Sequence, residues 1–250
     1  MIFDSRRNRR VQPRVARLRW FLGAFFSVGV TLLGAVAIMW MLNPQHMPIR
    51  SVRVDGEFRH LLPARLRSVV AAEATGGFFN VDVDDIRAAV MADPWVRDVS
   101  VRRMWPDALR VTVYEQRAIA YWGSDGLLNE RGKVFHAPRA TFPPGLVYLS
   151  GPAGSEAVVL GRYQQLRSWF RPLGLRVAKV ELTPRRAWSF AIDGGFRVIV
   201  GRNDFEARVQ RLVATLPRSP ERLRESAVID LRYTNGFAIR PRSSGDADAG

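Results

Sequence analysis

The 250-residue chain is 47% hydrophobic, carries a net charge of +15 at neutral pH and contains no cysteine. Disulfides and thiolate chemistry are therefore excluded in any compartment. The positive charge predicts a basic surface that faces acidic partners or anionic headgroups, and the topology predicted below argues against nucleic acid.

A single uninterrupted apolar segment, Trp20 to Leu42, lies near the N-terminus. Its 23 residues include no charged residue and no proline. At about 1.5 Å per residue, a helix of this length spans about 35 Å, enough to cross a hydrocarbon core of about 30 Å. We therefore predict one transmembrane helix at residues 20–42. A cleaved signal peptide is the alternative, but its apolar region is only about 7–15 residues long.

The charges beside this helix predict its orientation. Residues 1–19 contain seven arginines and one aspartate, whereas residues 43–49 contain no lysine, arginine or acid. The positive-inside rule places residues 1–19 in the cytoplasm, as an arginine-rich tail that contacts inner-membrane lipid, and everything after the helix across the membrane. The rest of the positive charge then lies outside the cytoplasm, where we expect no nucleic-acid partner.

Small residues recur at every fourth position of the predicted membrane helix. This spacing puts them on one face, where a second helix can approach closely. Small residues are also frequent in membrane helices that pack against nothing, so both interpretations stay open. The four residues are Gly23, Ser27, Thr31 and Ala35.

A first extracytoplasmic domain is predicted at residues 49–118, after a proline-containing linker at 43–48. Its first strand holds Val52 and Val54, which alternate with polar residues before an Asp-Gly turn. Two helices follow, the first beginning near Pro63 and the second at an Asp82 cap. A hairpin then completes the order strand, helix, helix, strand, strand. This order predicts a small sheet with two helices on one face.

The hairpin of this domain has its turn at Trp105–Ala108. Because side chains in a strand alternate between faces, its apolar residues are predicted to point together toward the helices. These residues are Val99, Val101, Leu109, Val111 and Val113.

A second domain is predicted at residues 119–240, with short strands and two helices, the first of them burying Val158 among others. Its helices are expected near 154–173 and 204–216, and its later strands near 177–182, 187–192, 196–200, 227–232 and 237–240. The whole chain is thus predicted to be α+β, with a single N-terminal transmembrane helix, the first domain in the order β-α-α-β-β, and a mostly antiparallel second domain. Residues 241–250 are small and polar, and we predict a disordered tail.

Local signatures of an active site are missing from the sequence. The three histidines are far apart, and the acids at 82–85 are explained by helix capping. We therefore predict no enzyme activity, no metal and no cofactor. A membrane-anchored periplasmic cell-wall hydrolase remains the alternative, because catalytic triads assemble in space rather than in sequence.

Several local motifs occur together and in a specific order. They are Ile-Arg-Ser-Val-Arg-Val-Asp-Gly (49–56), Pro-Trp-Val (94–96), Arg-Met-Trp-Pro-Asp-Ala-Leu-Arg-Val-Thr-Val-Tyr-Glu-Gln-Arg (103–117) and Ala-Tyr-Trp (120–122). This combination resembles the FtsQ/DivIB family of bacterial division proteins, in which a POTRA domain follows a single membrane anchor and precedes a second, β domain.

The resemblance implies a non-enzymatic scaffold of the inner membrane at the division septum. Family members link early and late division proteins, bind the FtsB–FtsL pair through the β domain, and contact other division proteins through the POTRA domain. No cofactor is implied.

A partner-binding site is predicted around the last strand region, because a final strand often lies at a sheet edge, where unpaired backbone groups accept another strand. By resemblance, Arg232, Tyr233 and Gly236 match the family's partner-binding stretch. We expect Tyr233 to anchor the interface, Gly236 to allow close approach, and the arginines to pair with carboxylates. In the alternative, Tyr233 packs in the core and Asn235-Gly236 is an ordinary turn. The predicted site residues are Arg186, Arg232, Tyr233, Asn235, Gly236 and Phe237.

Overall fold

The computed structural model describes residues 13–43, 46–218, 226–233 and 236–241. The chain divides into two compact units. The first contains the residues up to Asp93 together with Asp98–Tyr114, and the second contains Pro94–Arg97 together with the residues from Glu115 onward.

The first helix, α1, runs from Pro13 to Leu42. Its segment Arg19–Met41 is long and apolar enough to cross a membrane, and none of it is buried by protein, which agrees with the predicted membrane helix. The helix begins earlier than the apolar segment, so residues 13–19 of the arginine-rich tail are helical. Proline fits a first turn, and the residues after Pro13 are mostly good helix formers. Residues 1–12 of the predicted tail lie outside the described residues.

The face of α1 with small residues has no packing partner among the described residues. Thr31 Oγ1 donates a hydrogen bond to the carbonyl of Ser27 at 2.9 Å, within the helix itself. A Cβ added at Gly23 would meet no atom within 4 Å. Association of this face with another helix therefore stays a prediction.

The first unit has the predicted order of elements after the linker. These are β1 (Ser51–Asp55), α2 (Pro63–Glu73), α3 (Val83–Met91), β2 (Val96–Met104) and β3 (Ala108–Glu115). The strands form a sheet in the order β1-β3-β2, in which β1 is parallel to β3.

The helices and the sheet bury a common core. Leu66 and Val70 of α2 and Ile86 and Val90 of α3 are buried, as are Val99, Leu109, Val111 and Val113 of the hairpin. Burial of each such side chain contributes about 1.5–3 kcal/mol. The carboxylate of Asp82 accepts hydrogen bonds from the amides of Asp84 and Asp85 at 2.8 and 3.3 Å, which confirms the predicted cap.

The second unit is built around a mixed sheet of short strands with two helices. The strands are β4 (Ala118–Trp122), β5 (Gly126–Asn129), β6 (Val134–Phe135), β7 (Val147–Ser150), β8 (Val177–Leu182), β9 (Trp188–Ile192), β10 (Arg197–Gly201), β11 (Ser226–Asp230) and β12 (Ala238–Pro241). The helices are α4 (Glu156–Phe170) and α5 (Phe205–Thr215). The described strands lie in the order β12-β11-β10-β9-β8-β7-β4-β5-β6.

Most neighbouring strands of this sheet are antiparallel, as predicted. The parallel pairs are β4 with β7, β7 with β8, and β10 with β11. Parallel strands need a long crossover connection, and in two of these pairs it contains a helix: α4 lies between β7 and β8, and α5 lies between β10 and β11.

The two helices of this unit pack against the sheet, and side chains of both helices and of the strands form one hydrophobic core. Phe170 of α4 contacts Phe190 of β9, with ring centroids 5.4 Å apart, and Val209 and Leu212 of α5 are fully buried.

The prediction that Val158 belongs to the buried face of α4 is wrong, because Val158 is exposed. Val159, Leu166 and Phe170 share the inner face, and a residue one position away is turned by about 100°.

A polar link joins α4 to the start of α5. Gln165 Nε2 and Arg162 Nη1 donate to Glu206 Oε1 at 2.7 and 3.1 Å. These hydrogen bonds, the one from Gln165 foremost, lower the pKa of Glu206. The Arg162 guanidinium also lies 4.5 Å from the ring centroid of Phe205.

Candidate partner-binding surface

The last two strands form a hairpin at one edge of the described sheet. β11 and β12 are antiparallel, with Ile229 opposite Ile239 and Asp230 opposite Ala238. No described strand lies on the outer side of β12, and all four of its residues are exposed. The predicted edge position of the final strand is therefore confirmed.

The strand behind this edge is held firmly by the core. Ile229 of β11 is fully buried and pairs in parallel register with Val198 of β10. The next residue but one, Leu231, is also buried, and its amide donates to the carbonyl of Ile199 at 2.8 Å. β11 is thus part of the buried sheet of the unit and carries β12 on its far side.

The loop between β11 and β12 carries most of the predicted site residues. Tyr233 is 58% exposed, so it is not a core residue, and the alternative that it packs inside the unit does not hold. A Cβ added at Gly236 would meet no atom within 4 Å. Phe237 is half-buried and packs against the core of the unit. Asn235 lies outside the described residues.

Arg232 forms a two-point ion pair within the unit. Its Nε donates to Asp230 Oδ1 at 2.9 Å and its Nη2 donates to Oδ2 at 2.6 Å. Its backbone amide also donates to Oδ1, at 3.0 Å. The hydrogen bond from Arg232 lowers the pKa of Asp230 against the opposing effect of burial, and the pKa of Arg232 is raised in turn.

Two neighbours help to place the Arg232 side chain. Gly201, at the end of β10, has a φ of +87°, and a Cβ there would come within 3.2 Å of Arg232 Cγ and 3.3 Å of Arg208 Nη1. Arg208 is largely buried, and its Nη1 donates to the carbonyl of Val200 at 2.8 Å. Glycine at 201 therefore leaves the space through which the Arg232 side chain passes.

Asp230, Gly201 and Arg208 were not predicted from the sequence. A signal for Asp230 exists, because residues two apart on an extended chain point to the same side, and Asp230 and Arg232 have opposite charge. The contributions of Gly201 and Arg208 depend on the pairing of β10 with β11, which the sequence does not reveal.

Arg186 lies in the turn between β8 and β9 and is exposed. Its φ is +60°, and its amide donates to the carbonyl of Thr183 at 2.8 Å. Trp188, at the start of β9, pairs with Gly201 at the end of β10, and β11 runs parallel to β10. The register therefore brings the Arg186 turn and the β11–β12 loop to the same end of the sheet.

Candidate ligands for a metal ion do not cluster in the described ranges. No group of three or more histidine, aspartate and glutamate side chains is close enough there to hold an ion. The surface at the end of the sheet is instead made of an exposed tyrosine, an oriented arginine and an unpaired strand edge, which are features of a protein-binding surface.

Comparison with known families matches both units. The family model described as "POTRA domain, FtsQ-type" matches residues 47–116. The model described as "Cell division protein FtsQ/DivIB, C-terminal" matches residues 120–232. The chain is thus a division protein with a POTRA domain and, among the residues that the structure describes, one candidate membrane-spanning helix. The second match ends at Arg232, so Tyr233 and β12 lie beyond it.

Several similar proteins are named "Cell division protein FtsQ". The protein from Xanthomonas campestris pv. campestris is 36% identical over 90% of this chain and 80% of its own length. That from Burkholderia pseudomallei is 36% identical over 90% of this chain and 92% of its own, and that from Coxiella burnetii is 36% identical over 81% and 84%. This chain belongs to the FtsQ/DivIB family of cell division proteins.

Proposed function

We propose that this protein is a non-enzymatic scaffold of the division machinery in the bacterial inner membrane. In this proposal residues 1–19 are cytoplasmic and the POTRA and β domains, at 49–118 and 119–240, are periplasmic. The β domain binds the FtsB–FtsL pair, the POTRA domain contacts other division proteins, and the chain thereby links early and late components at the septum. The observation that carries the proposal is the exposed outer edge of β12.

Strand addition is the binding mode that this edge favours. A partner strand beside β12 would pair with the backbone groups on its outer side. Each hydrogen bond would make a net contribution of about 0.5–1.5 kcal/mol to the binding free energy. The edge is short, and Pro241 at its end has no N–H to donate. Side chains next to the edge must therefore supply much of the affinity.

Tyr233 and Arg232 are the side chains best placed to do so. Exposed tyrosine supplies a large contact area at a small loss of side-chain entropy. The Nε and Nη2 groups of Arg232 are used by Asp230, while Nη1 has no partner among the described residues and can donate to a partner carboxylate. Because Asp230 already holds the guanidinium, little further ordering is needed when it binds.

The test is capture of the FtsB–FtsL pair by the full-length chain in detergent. Tyr233→Ala should abolish capture while leaving the melting temperature unchanged. The matched control is Tyr148→Ala on β7, because Tyr148 is 55% exposed, much as Tyr233 is. If Tyr233→Ala captures the pair as well as Tyr148→Ala does, the site proposed at the β11–β12 loop is wrong.

A further inference from the structure

The end of the first unit that receives the linker is defined by two backbone contacts. The amide of Phe78, in the loop before α3, donates to the carbonyl of Met47 at 2.8 Å. The amide of Arg50 donates to the carbonyl of Asp107, in the turn between β2 and β3, at 2.8 Å. The loop and the turn therefore lie beside the chain where it arrives from the membrane helix.

A side chain joins these two pieces directly. Arg103 Nη2, from the last residues of β2, donates to the carbonyl of Val81 at 2.7 Å. The linker, the loop before α3 and the β2–β3 turn thus form one connected end of the unit. We call it the linker end.

The covalent connection limits how far the linker end can move from the bilayer. Met47 is five residues beyond Leu42, so even a fully extended chain reaches only about 18 Å. The amide of His46 donates to the carbonyl of Asn43 at 3.0 Å, so these two residues lie closer together than in an extended chain and the reach is shorter. The headgroup region itself extends about 5–8 Å beyond the hydrocarbon core on each side.

Large apolar side chains are exposed at this end. Trp105, at the tip of the β2–β3 turn, is 77% exposed, the neighbouring Met104 is 40% exposed, and Phe79 of the loop is also exposed. An exposed tryptophan with a neighbouring apolar side chain suits the membrane interface, where its ring meets acyl chains and its N–H meets water and headgroups.

Arginines surround these apolar residues. Arg50, Arg102 and Arg103 are exposed, and the Arg50 guanidinium lies 3.9 Å from its acidic neighbour Asp107. Cationic side chains beside exposed aromatic residues complement a surface with anionic headgroups.

We propose that the linker end rests on the leaflet from which α1 emerges, with Trp105 inserted at the interface and the arginines among the headgroups. The occupant of this surface is lipid, because the tether of α1 keeps the bilayer within reach at all times. The contact restricts rotation of the POTRA domain about its linker. This inference depends on α1 spanning a membrane and is independent of which partner binds β12.

The test uses the full-length chain in nanodiscs of phosphatidylethanolamine and phosphatidylglycerol. The absence of cysteine allows one spin label to be attached at Met104→Cys. The matched control is Met91→Cys, because Met91 is also 40% exposed and belongs to the same unit. Met91 lies five residues before Val96, and β2 runs about 26 Å from Val96 to Met104, so the control site is remote from the linker end.

Accessibility to oxygen and to a water-soluble nickel chelate then reports the depth of each label. We expect the label at 104 to be more accessible to oxygen than to the chelate, as at a membrane interface. We expect the label at 91 to have the accessibilities of a label in water. Adding Trp105→Ser should return the label at 104 to aqueous values without changing the melting temperature.

Three outcomes would overturn the proposal. They are aqueous accessibility at 104 in the nanodisc, protection of that label from both reagents, which indicates contact with protein rather than lipid, and an interfacial label that Trp105→Ser does not change. If Trp105→Ser unfolds the protein, the comparison of positions 104 and 91 in the otherwise native chain still decides.

Discussion

Arg232 and Asp230 form a two-point ion pair at the place where β11 ends and the loop to β12 begins. The carboxylate is mostly buried, whereas the guanidinium is mostly exposed. The pair therefore ties an exposed side chain of the candidate site to the end of the strand behind the edge. We expect it to orient Arg232 more than it stabilises the fold, since ion pairs with an exposed partner contribute little.

Asp230→Asn tests this ion pair through the pH dependence of stability. At pH 7 the variant should melt lower than the native chain by at most about 4 °C, because the pair is partly exposed. The pKa of Asp230 is lowered by Arg232, so the stabilisation is present above the unfolded pKa of about 3.9. It should disappear as the pH falls through the lower folded pKa.

The measurement is the melting temperature of both proteins in detergent from pH 7 to pH 3. Asp125→Asn serves as the control, because Asp125 is exposed and lies in a different turn of the same unit. If the difference in melting temperature between Asp230→Asn and the native chain stays constant down to pH 3, the ion pair does not cause that difference.

The elements of this fold could be predicted because they depend on local signals. Three such signals are the apolar segment of α1, the Asp82 cap and the alternating valines of the β2–β3 hairpin. Each is contained in one continuous stretch of the sequence. The sequence does not predict that α1 begins at Pro13, because a helix continues through polar residues until something ends it.

The candidate site could be predicted only in part. Its position on the last strand follows from chain order, and the exposure of Tyr233 agrees with the predicted role. Asp230, two residues before Arg232, has a local signal, but the space above Gly201 and the contribution of Arg208 depend on the pairing of β11 with β10, strands that α5 and its flanking residues separate in sequence. Long-range pairing of this kind leaves no local periodicity to detect.

Val111→Asp should unfold the POTRA domain. Val111 is fully buried in β3 opposite Val54, so an aspartate there has no partner and should destabilise the domain by about 3 kcal/mol or more. Ala64→Asp is the matched control, because it places the same carboxylate in the exposed first turn of α2, where the helix dipole favours an anion. Denaturant titration of both variants measures the difference, and equal midpoints would contradict the assigned face of β3.

The proposed orientation predicts which side of the membrane each part of the chain occupies. Because the native chain has no cysteine, single cysteines at Ser5 and Ser124 can be compared directly. Ser124 is exposed in the turn between β4 and β5. In cells with a permeabilised outer membrane, a membrane-impermeant maleimide should label Ser124→Cys and leave Ser5→Cys unlabelled. Labelling of position 5 alone would reverse the proposed topology.

Gly236→Trp tests whether a partner approaches the β11–β12 loop closely. Nothing lies within 4 Å of a Cβ at Gly236, so the free protein has room for a larger side chain and should melt normally. A bound strand would meet the indole, so we expect capture of the FtsB–FtsL pair to be lost. The control is Gly161→Trp, on an exposed position of α4 where a Cβ also meets no atom within 4 Å. Normal capture by Gly236→Trp, or equal loss in both variants, would contradict close approach at this loop.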